Sequence, residues 1–268
     1  MNDTGSERYT ALDLIREGDS VVVYLDSKRR FVIRVEKGRI LGTDKGFIKH
    51  DDLIGKPYGS TIETSMGVKA YLYRPLRQDY IPVLKRATQI IHSKDAALMI
   101  YLSGIGPGSR VGEAGVGSGA LTTAIASIIG DNGILYGFDI SEKALATAVE
   151  NLEKTGLKHR VALFKKDIRE GVGVEGLDAF FLDIPDPWNA LDKIAQALKN
   201  SGTVLIYLPT INQVEKTVVA MKNSGYFGDI HSYELLQREI RVEPGAVRPH
   251  SKMIGHTGYI VFARKLAI

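Results

Sequence analysis

Hydrophobic and polar positions follow two different spacings in the first part of this 268-residue chain. From residue 18 to 65, short apolar runs such as Ser20–Leu25 alternate with polar turns, which predicts a small antiparallel β module. The apolar spacing then becomes helical, with Ser93 as the predicted N-cap of a helix that ends at Gly104. We therefore predict a β module over residues 1–70 and a helical linker from there to residue 108.

Beyond residue 108, apolar strands and helices alternate along the chain. Alternating β and α segments predict a parallel, doubly wound α/β sheet whose ligand lies at the carboxyl ends of its strands. The last two predicted strands, Ile230–Val242 and Gly258–Ala263, are joined by a polar loop and would form an antiparallel hairpin at the sheet edge. Residues 109–268 are therefore predicted to form one larger domain.

A glycine-rich stretch follows the first strand of this domain, with glycines at 115, 117 and 119. Glycines at this spacing let a strand turn sharply into a helix and bring backbone N–H groups close to a ligand. The spacing also satisfies the dinucleotide fingerprint of NAD-dependent oxidoreductases, and a glycine turn can exist without any ligand. Glu113 favours a cationic ligand, because a carboxylate at this position would repel a pyrophosphate.

Four acidic residues fall at or just past the carboxyl ends of successive predicted strands: Glu113, Asp139, Asp167 and Asp183. In a parallel sheet these ends meet at one edge, where a ligand binds. Asp139 is suited to hold ribose hydroxyls and Asp167 to accept a hydrogen bond from an adenine amine. The four acids together predict a nucleoside-containing ligand.

The segment Asp183-Ile-Pro-Asp-Pro-Trp188 is the predicted reaction site. Its two prolines restrict the backbone, so that the loop can present a carboxylate at a fixed position. Asp183 could accept a hydrogen bond from a base amino group and offset positive charge on the ring. A proline-rich strand exit, with Asp186 as a local cap, is the alternative interpretation.

The composition excludes several classes of site. The chain has no cysteine, so disulfides and thiolate metal sites are excluded, and no His or carboxylate cluster indicates a metal. No segment approaches the length of a membrane span, and we expect a cytoplasmic protein. Residues 236–268 contain six Lys and Arg against two Glu, which suits a polyanion such as RNA but also an ordinary solvated surface.

With these residues in hand, the chain resembles the tRNA adenine-N1 methyltransferases that modify the T-loop adenosine at tRNA position 58. The resemblance rests on the glycine motif, the linker Arg86–Asp95, the loop Asp183–Trp188, the segment Tyr207–Val214 and the tail 248–265. It implies a class I methyltransferase with a Rossmann-like sheet, S-adenosylmethionine as cofactor, tRNA as substrate and a homotetrameric assembly. His92-Ser-Lys-Asp95 looks like archaeal members, some of which also methylate the neighbouring purine.

The resemblance also assigns roles to individual residues. Asp183 matches the catalytic aspartate, and it is expected to contact the cofactor together with Gln89, Ile91, His92, Glu113, Gly115, Gly117, Ser118, Gly119, Leu121, Asp139 and Asp167. On the tRNA side, a flipped adenine is expected to enter a pocket of Trp188, Tyr207 and Pro209. His92 is a further substrate contact, and Arg241, Arg248 and Lys252 are candidates for phosphate contacts. A non-catalytic RNA-binding subunit is the remaining alternative.

Overall fold

The computed structural model describes residues 13–80, 84–85 and 90–267. The chain forms two compact units, Met1–Val83 and Leu84–Ile268. The predicted domain boundary at residue 70 falls inside a strand of the first unit, Lys69–Tyr73, whose residues Ala70 and Leu72 are buried in that unit's core. The predicted linker is therefore divided between the two units, and Gln89 lies outside the described residues.

The first unit is a small antiparallel β module, as predicted. Its strands are β1 (Ser20–Asp26), β2 (Arg29–Arg34), β3 (Ile40–Thr43), β4 (Gly46–Lys49), β5 (Thr61–Glu63) and β6 (Lys69–Tyr73), and its helix is α1 (Arg77–Tyr80). The order β2-β1-β6-β5 forms one sheet, and β3 pairs with β4 in a separate hairpin. Val21 and Val23 on β1 pack with Leu72 on β6 in the core of this unit.

The second unit alternates helices and strands. Its helices are α2 (Ser93–Ser103), α3 (Ala120–Ile129), α4 (Glu142–Lys154), α5 (Leu191–Ala197) and α6 (Ile211–Ser224). Its strands are β7 (Arg110–Ala114), β8 (Ile134–Asp139), β9 (Val161–Lys165), β10 (Leu177–Leu182), β11 (Leu198–Leu208), β12 (Phe227–Glu234), β13 (Ile240–Arg241), β14 (Arg248–Pro249) and β15 (Tyr259–Lys265).

Seven of these strands form one sheet in the order β12-β15-β11-β10-β7-β8-β9. The five strands from β11 to β9 are parallel, and β15 runs antiparallel to both β11 and β12. The doubly wound sheet with an antiparallel edge is therefore confirmed. The chain winds outward in both directions from the centre, so the crevice at the ends of β7 and β10 is the expected ligand site.

One predicted edge strand and one predicted N-cap differ from the structure. The predicted strand Ile230–Val242 is wrong, because β12 ends at Glu234, where its partner β15 begins with Tyr259, and Ile240–Arg241 pairs instead with β14. The predicted N-cap is also displaced by one residue. Helix α2 already includes Ser93, and His92 is the N-cap, with extended backbone angles and a carbonyl that accepts from the Ala96 N–H.

The central strand β10 is buried on both faces of the sheet. Phe180 and Leu182 pack into one hydrophobic cluster, and Ala179 and Phe181 pack into the other. A strand held on both sides fixes the position of whatever follows it, and Asp183 is the next residue. Within the described residues, no helix is both long enough and apolar enough to span a membrane.

Candidate active site

Asp183 and Gly115 lie side by side where β10 and β7 end. The Asp183 N–H donates to the Ala114 carbonyl at 2.9 Å, and the Gly115 N–H donates to the Phe138 carbonyl at 3.0 Å. Gly115 has φ +83°, and a Cβ at this position would overlap the Asp183 carbonyl. Only glycine satisfies both the left-handed backbone and the close approach of the two strand ends.

The glycine loop is anchored by Asp139 at the end of β8. One Asp139 carboxylate oxygen accepts from the Gly117 N–H at 2.9 Å, and the other accepts from the Ser141 N–H at 2.8 Å. Gly119, at φ +78°, is the N-cap of α3, and a Cβ there would lie 3.1 Å from the Ala148 Cβ. Asp139 therefore shapes the loop, and its predicted contact with ribose stays a prediction.

A cavity of about 630 Å³ opens at this edge of the sheet. It brings together ten of the predicted site residues: Ile91, His92, Gly115, Gly117, Ser118, Leu121, Asp139, Asp183, Tyr207 and Pro209. The remaining lining residues are Ile90, Val116, Ala120, Ile254, His256 and Thr257. The cavity thus joins the glycine loop to the ends of β10 and β11.

A second cavity of about 390 Å³ lies on the Asp167 side of the site and shares Gly115, Asp139 and Asp183 with the first. Arg169 donates to both carboxylate oxygens of Asp167, at 2.5–3.0 Å, and to Asp186 at 2.8 Å. These hydrogen bonds hold the pKa of Asp167 below its ordinary value, so its carboxylate is ionised. Arg169, which the sequence did not single out, ties the predicted adenine-binding acid to the proline loop.

Burial controls the charge of two acids at the site. Glu113 is 1% exposed, because it lies between Gly137 and Phe181 on neighbouring strands of the central sheet. Burial raises its pKa to about 8, and its Oε2 atom has no hydrogen-bond partner among the described residues. Burial also raises the pKa of Asp183 to about 6, with a smaller contribution from the Asp139 charge. Glu113 is not one of the residues that line either cavity.

The structure places Trp188 away from both cavities. After Asp186 the chain turns into a short 3₁₀ helix, Pro187–Asn189, and the Lys216 ammonium of α6 lies 4.1 Å from the centre of the Trp188 ring. Trp188 therefore does not share a cavity with Tyr207 and Pro209, and its contact with the flipped base stays a prediction. Tyr207 and Pro209 do line the larger cavity.

The basic candidates lie outside the cavity walls. Arg241 and Arg248 are exposed and face each other across the β13–β14 ladder, and Lys252 is exposed in the loop that follows. The tail contributes other residues, Ile254, His256 and Thr257, that the sequence did not assign to the site. One local sequence signal indicated that the tail packs closely here: Gly258 lies against the Tyr207 ring, which a Cβ at residue 258 would overlap.

No three His, Asp or Glu side chains of the described residues gather as a metal site would require. The cavity instead offers backbone groups of a glycine loop and isolated carboxylates.

Two protein-family models match the chain. The model described as "tRNA methyltransferase complex GCD14 subunit" matches residues 70–244, and the TrmI-like N-terminal model matches residues 14–62.

The chain belongs to the GCD14 tRNA methyltransferase family. A relative from Methanocaldococcus jannaschii, named tRNA (adenine(57)-N(1)/adenine(58)-N(1))-methyltransferase TrmI, is 34% identical over 88% of this chain and 91% of its own. A Thermus thermophilus relative, named tRNA (adenine(58)-N(1))-methyltransferase TrmI, is 30% identical over 88% of this chain and 93% of its own.

Solved structures of similar proteins match nearly the full length of the chain. A Thermotoga maritima protein described as a SAM-dependent O-methyltransferase has a TM-score of 0.89 and 35% identity over 97% of each chain. The tRNA (m1A58) methyltransferase TrmI of Aquifex aeolicus has a TM-score of 0.81 and 32% identity, covering 95% of this chain and all of its own. These similarities support a methyltransferase of the family's fold.

Proposed function

We propose that this protein transfers a methyl group from S-adenosylmethionine to N1 of the T-loop adenosine at position 58 of tRNA. The observation that carries the proposal is the position of Asp183. Its carboxylate lies in one cavity with the glycine loop on one side and Tyr207 and Pro209 on the other. The names of the Methanocaldococcus and Thermus relatives support adenine N1 as the acceptor.

The residues present fit this cofactor. The glycine loop lines the larger cavity, and Asp139 and Asp167 stand at or just past the ends of neighbouring strands, where ribose and adenine would be held. Glu113 stands on β7 two residues before Gly115, and one of its buried carboxyl oxygens has no partner among the described residues, so we assign it to the cationic amino-acid end of the ligand. When bound, the cofactor supplies an electrophilic methyl group on its sulfonium.

Asp183 is suited to the charge that the reaction creates. Adenine N1 already carries a lone pair, so the enzyme must position N1 rather than remove a proton from it. Methylation leaves a cationic ring, and the Asp183 carboxylate can accept a hydrogen bond from the N6 amine and offset that charge. With a pKa of about 6, Asp183 is mostly ionised at neutral pH.

The acceptor base must leave the folded tRNA to reach this site, because N1 lies on the pairing edge. Tyr207 and Pro209, across Asp183 from the glycine loop, are the walls that we assign to the flipped base. The Methanocaldococcus name supports position 57 as a second acceptor. We also propose that the protein assembles as a homotetramer, as the family resemblance implies. Light scattering of the purified protein tests this assembly.

Two measurements separate this function from the alternatives. Calorimetric titration should show binding of S-adenosylmethionine and none of NAD; the opposite result would establish the oxidoreductase alternative. Incubation with unmodified tRNA and labelled methyl donor should label the RNA. Cofactor binding without any labelling of tRNA would point to another acceptor or to a non-catalytic subunit.

A further inference from the structure

The wall of the larger cavity opposite the glycine loop is built largely from the tail. Tyr259, at the start of β15, pairs with Leu208 at the end of antiparallel β11, so the segment before β15 lies at the same sheet edge as Pro209. The segment 254–257 therefore reaches the cavity from the β11 side of Asp183, whereas the glycine loop follows β7 on its other side. We call segment 254–257 together with Tyr207 the tail wall.

A buried ion pair holds one end of the tail wall. The side chains of Lys94 and Asp95 are 6% and 0% exposed, and their charged atoms are 2.6 Å apart. The Thr257 hydroxyl donates to the second Asp95 oxygen at 2.7 Å and accepts from the Lys94 ammonium at 2.7 Å. The Thr257 hydroxyl thus acts as donor and acceptor at once, and no apolar side chain can form these two hydrogen bonds.

The backbone of Thr257 in turn orients Tyr207. Its carbonyl accepts from the Tyr207 hydroxyl at 2.5 Å. Burial raises the pKa of Tyr207 to about 12, so the phenol stays a neutral donor over the whole working range of pH. A chain of contacts thus runs from Lys94 and Asp95 through Thr257 to the Tyr207 ring, which lines the cavity.

His256 fixes the neighbouring position of the tail wall. One ring nitrogen lies 2.8 Å from the Glu234 carboxylate, and the other lies 3.1 Å from the Pro209 carbonyl. Both partners are acceptors, so the imidazole must donate from both nitrogens and is protonated in this arrangement. The tail wall is therefore tied to β12, to α2 and to the residue after β11.

We propose that Thr257, held by Lys94 and Asp95, is a positioning residue for the acceptor adenosine. It fixes the Tyr207 ring and the tail wall against which the base is placed, and it does not contribute to cofactor binding. This inference rests on the proposed function, because it assigns the acceptor to the tail-wall side of Asp183.

The alternative is a structural role only, and the contacts distinguish the two. The Lys94–Asp95 pair is made directly between these two side chains, so it persists when the Thr257 hydroxyl is removed. Thr257→Val keeps the size and β-branching of the side chain and replaces only the hydroxyl with a methyl group. It should therefore loosen the tail wall while the fold is retained.

The experiment compares Thr257→Val with Thr257→Ser, which restores the hydroxyl, and with Thr203→Val as a matched control. Thr203 on β11 also donates a buried hydroxyl, to the Ser103 carbonyl at 2.8 Å, but does not line either cavity. For each purified variant, cofactor affinity is measured by calorimetry, tRNA methylation by steady-state kinetics, and folding by thermal unfolding.

Thr257→Val should lower kcat/KM for tRNA about tenfold or more while cofactor affinity stays within about twofold of wild type. Thr257→Ser should recover most of the loss, and Thr203→Val should leave kcat/KM unchanged. Equal losses in cofactor affinity and tRNA kinetics, no rescue by serine, or unchanged kinetics of Thr257→Val would overturn the inference. If the wild-type protein itself methylates no tRNA, the proposed function fails, and this inference fails with it.

Discussion

Gly115 and Asp183 are in backbone contact, and the Asp183 carbonyl occupies the space that a Cβ on residue 115 would need. This contact places the start of the glycine loop directly beside the acid that we assign to catalysis. The glycine loop after β7 and Asp183 after β10 therefore hold each other in position.

Gly115→Ala should disrupt both sites. The new Cβ meets the Asp183 backbone, and φ +83° is strained for alanine, so we expect a loss of at least about 2 kcal/mol in the free energy of unfolding. Cofactor affinity should fall with it. Gly156→Ala is the matched control, because Gly156 has φ +71° and no atom of the described residues lies within 4 Å of the added Cβ. Urea unfolding and calorimetry should show the larger effect at residue 115; equal effects would refute the contact.

Asp183→Asn should separate catalysis from cofactor binding. The amide keeps the size of the side chain but cannot offset the positive charge of the methylated ring, so methyl transfer should fall by about a hundredfold or more. Cofactor affinity, measured by calorimetry, should largely survive. Equal losses of methyl transfer and of cofactor affinity would mean that Asp183 acts mainly on the cofactor.

The raised pKa of Asp183 predicts a pH dependence of stability. A carboxyl group whose folded pKa, about 6, lies above its ordinary 3.8 stabilises the fold below pH 4 and loses that contribution as pH rises through 6. The unfolding free energy of Asp183→Asn relative to wild type should therefore increase with pH and level off above about pH 7. The total change should be at most about 3 kcal/mol. A difference that does not vary with pH would contradict the raised pKa.

Glu113 should release a proton when a cationic ligand binds. Its pKa of about 8 keeps it mostly protonated at pH 7.5, and a nearby positive charge favours the carboxylate. Calorimetry of S-adenosylmethionine binding in two buffers with different ionisation enthalpies should show net proton release, which Glu113→Gln should remove. Identical apparent enthalpies in the two buffers for wild type would exclude this linkage.

His256 should set the alkaline limit of activity. Hydrogen bonds to Glu234 and to the Pro209 carbonyl raise the pKa of His256, although the Lys94 charge opposes this shift. The Tyr259 ring packs against the imidazole, with the two ring centres 4.8 Å apart. Both hydrogen bonds are present below the ordinary histidine pKa; as pH rises through the raised value, the ring loses one proton and can keep only one of the two. Glu234→Gln should shift the alkaline limb of the kcat/KM profile to lower pH. An unshifted limb would exclude His256 as its origin.

The glycine loop and the strand-end acids could be predicted from the sequence because their signals are local. A parallel sheet brings the ends of successive strands together, so Asp139 and Asp183 had to meet near Gly115. Glu113 was harder to place: its burial depends on register with Gly137 and Phe181, which a single strand does not reveal.

Local sequence patterns did not predict the contacts made by the tail and by the proline loop. Thr257 reaches Asp95 across 162 residues of sequence, so nothing near either residue indicated their contact. Trp188 followed the predicted catalytic segment, but a 3₁₀ turn directs it to Lys216 instead of the cavity. Both depend on tertiary packing, and each changes which residues are assigned to the acceptor base.

The central claim is tested most directly by mapping the methylated nucleotide after unmodified tRNA is incubated with the wild-type protein and labelled S-adenosylmethionine. The account predicts N1-methyladenosine at position 58 and almost none with Asp183→Asn. Label on a ribose hydroxyl or on a base other than those at positions 57 and 58, or full activity of Asp183→Asn, would contradict it.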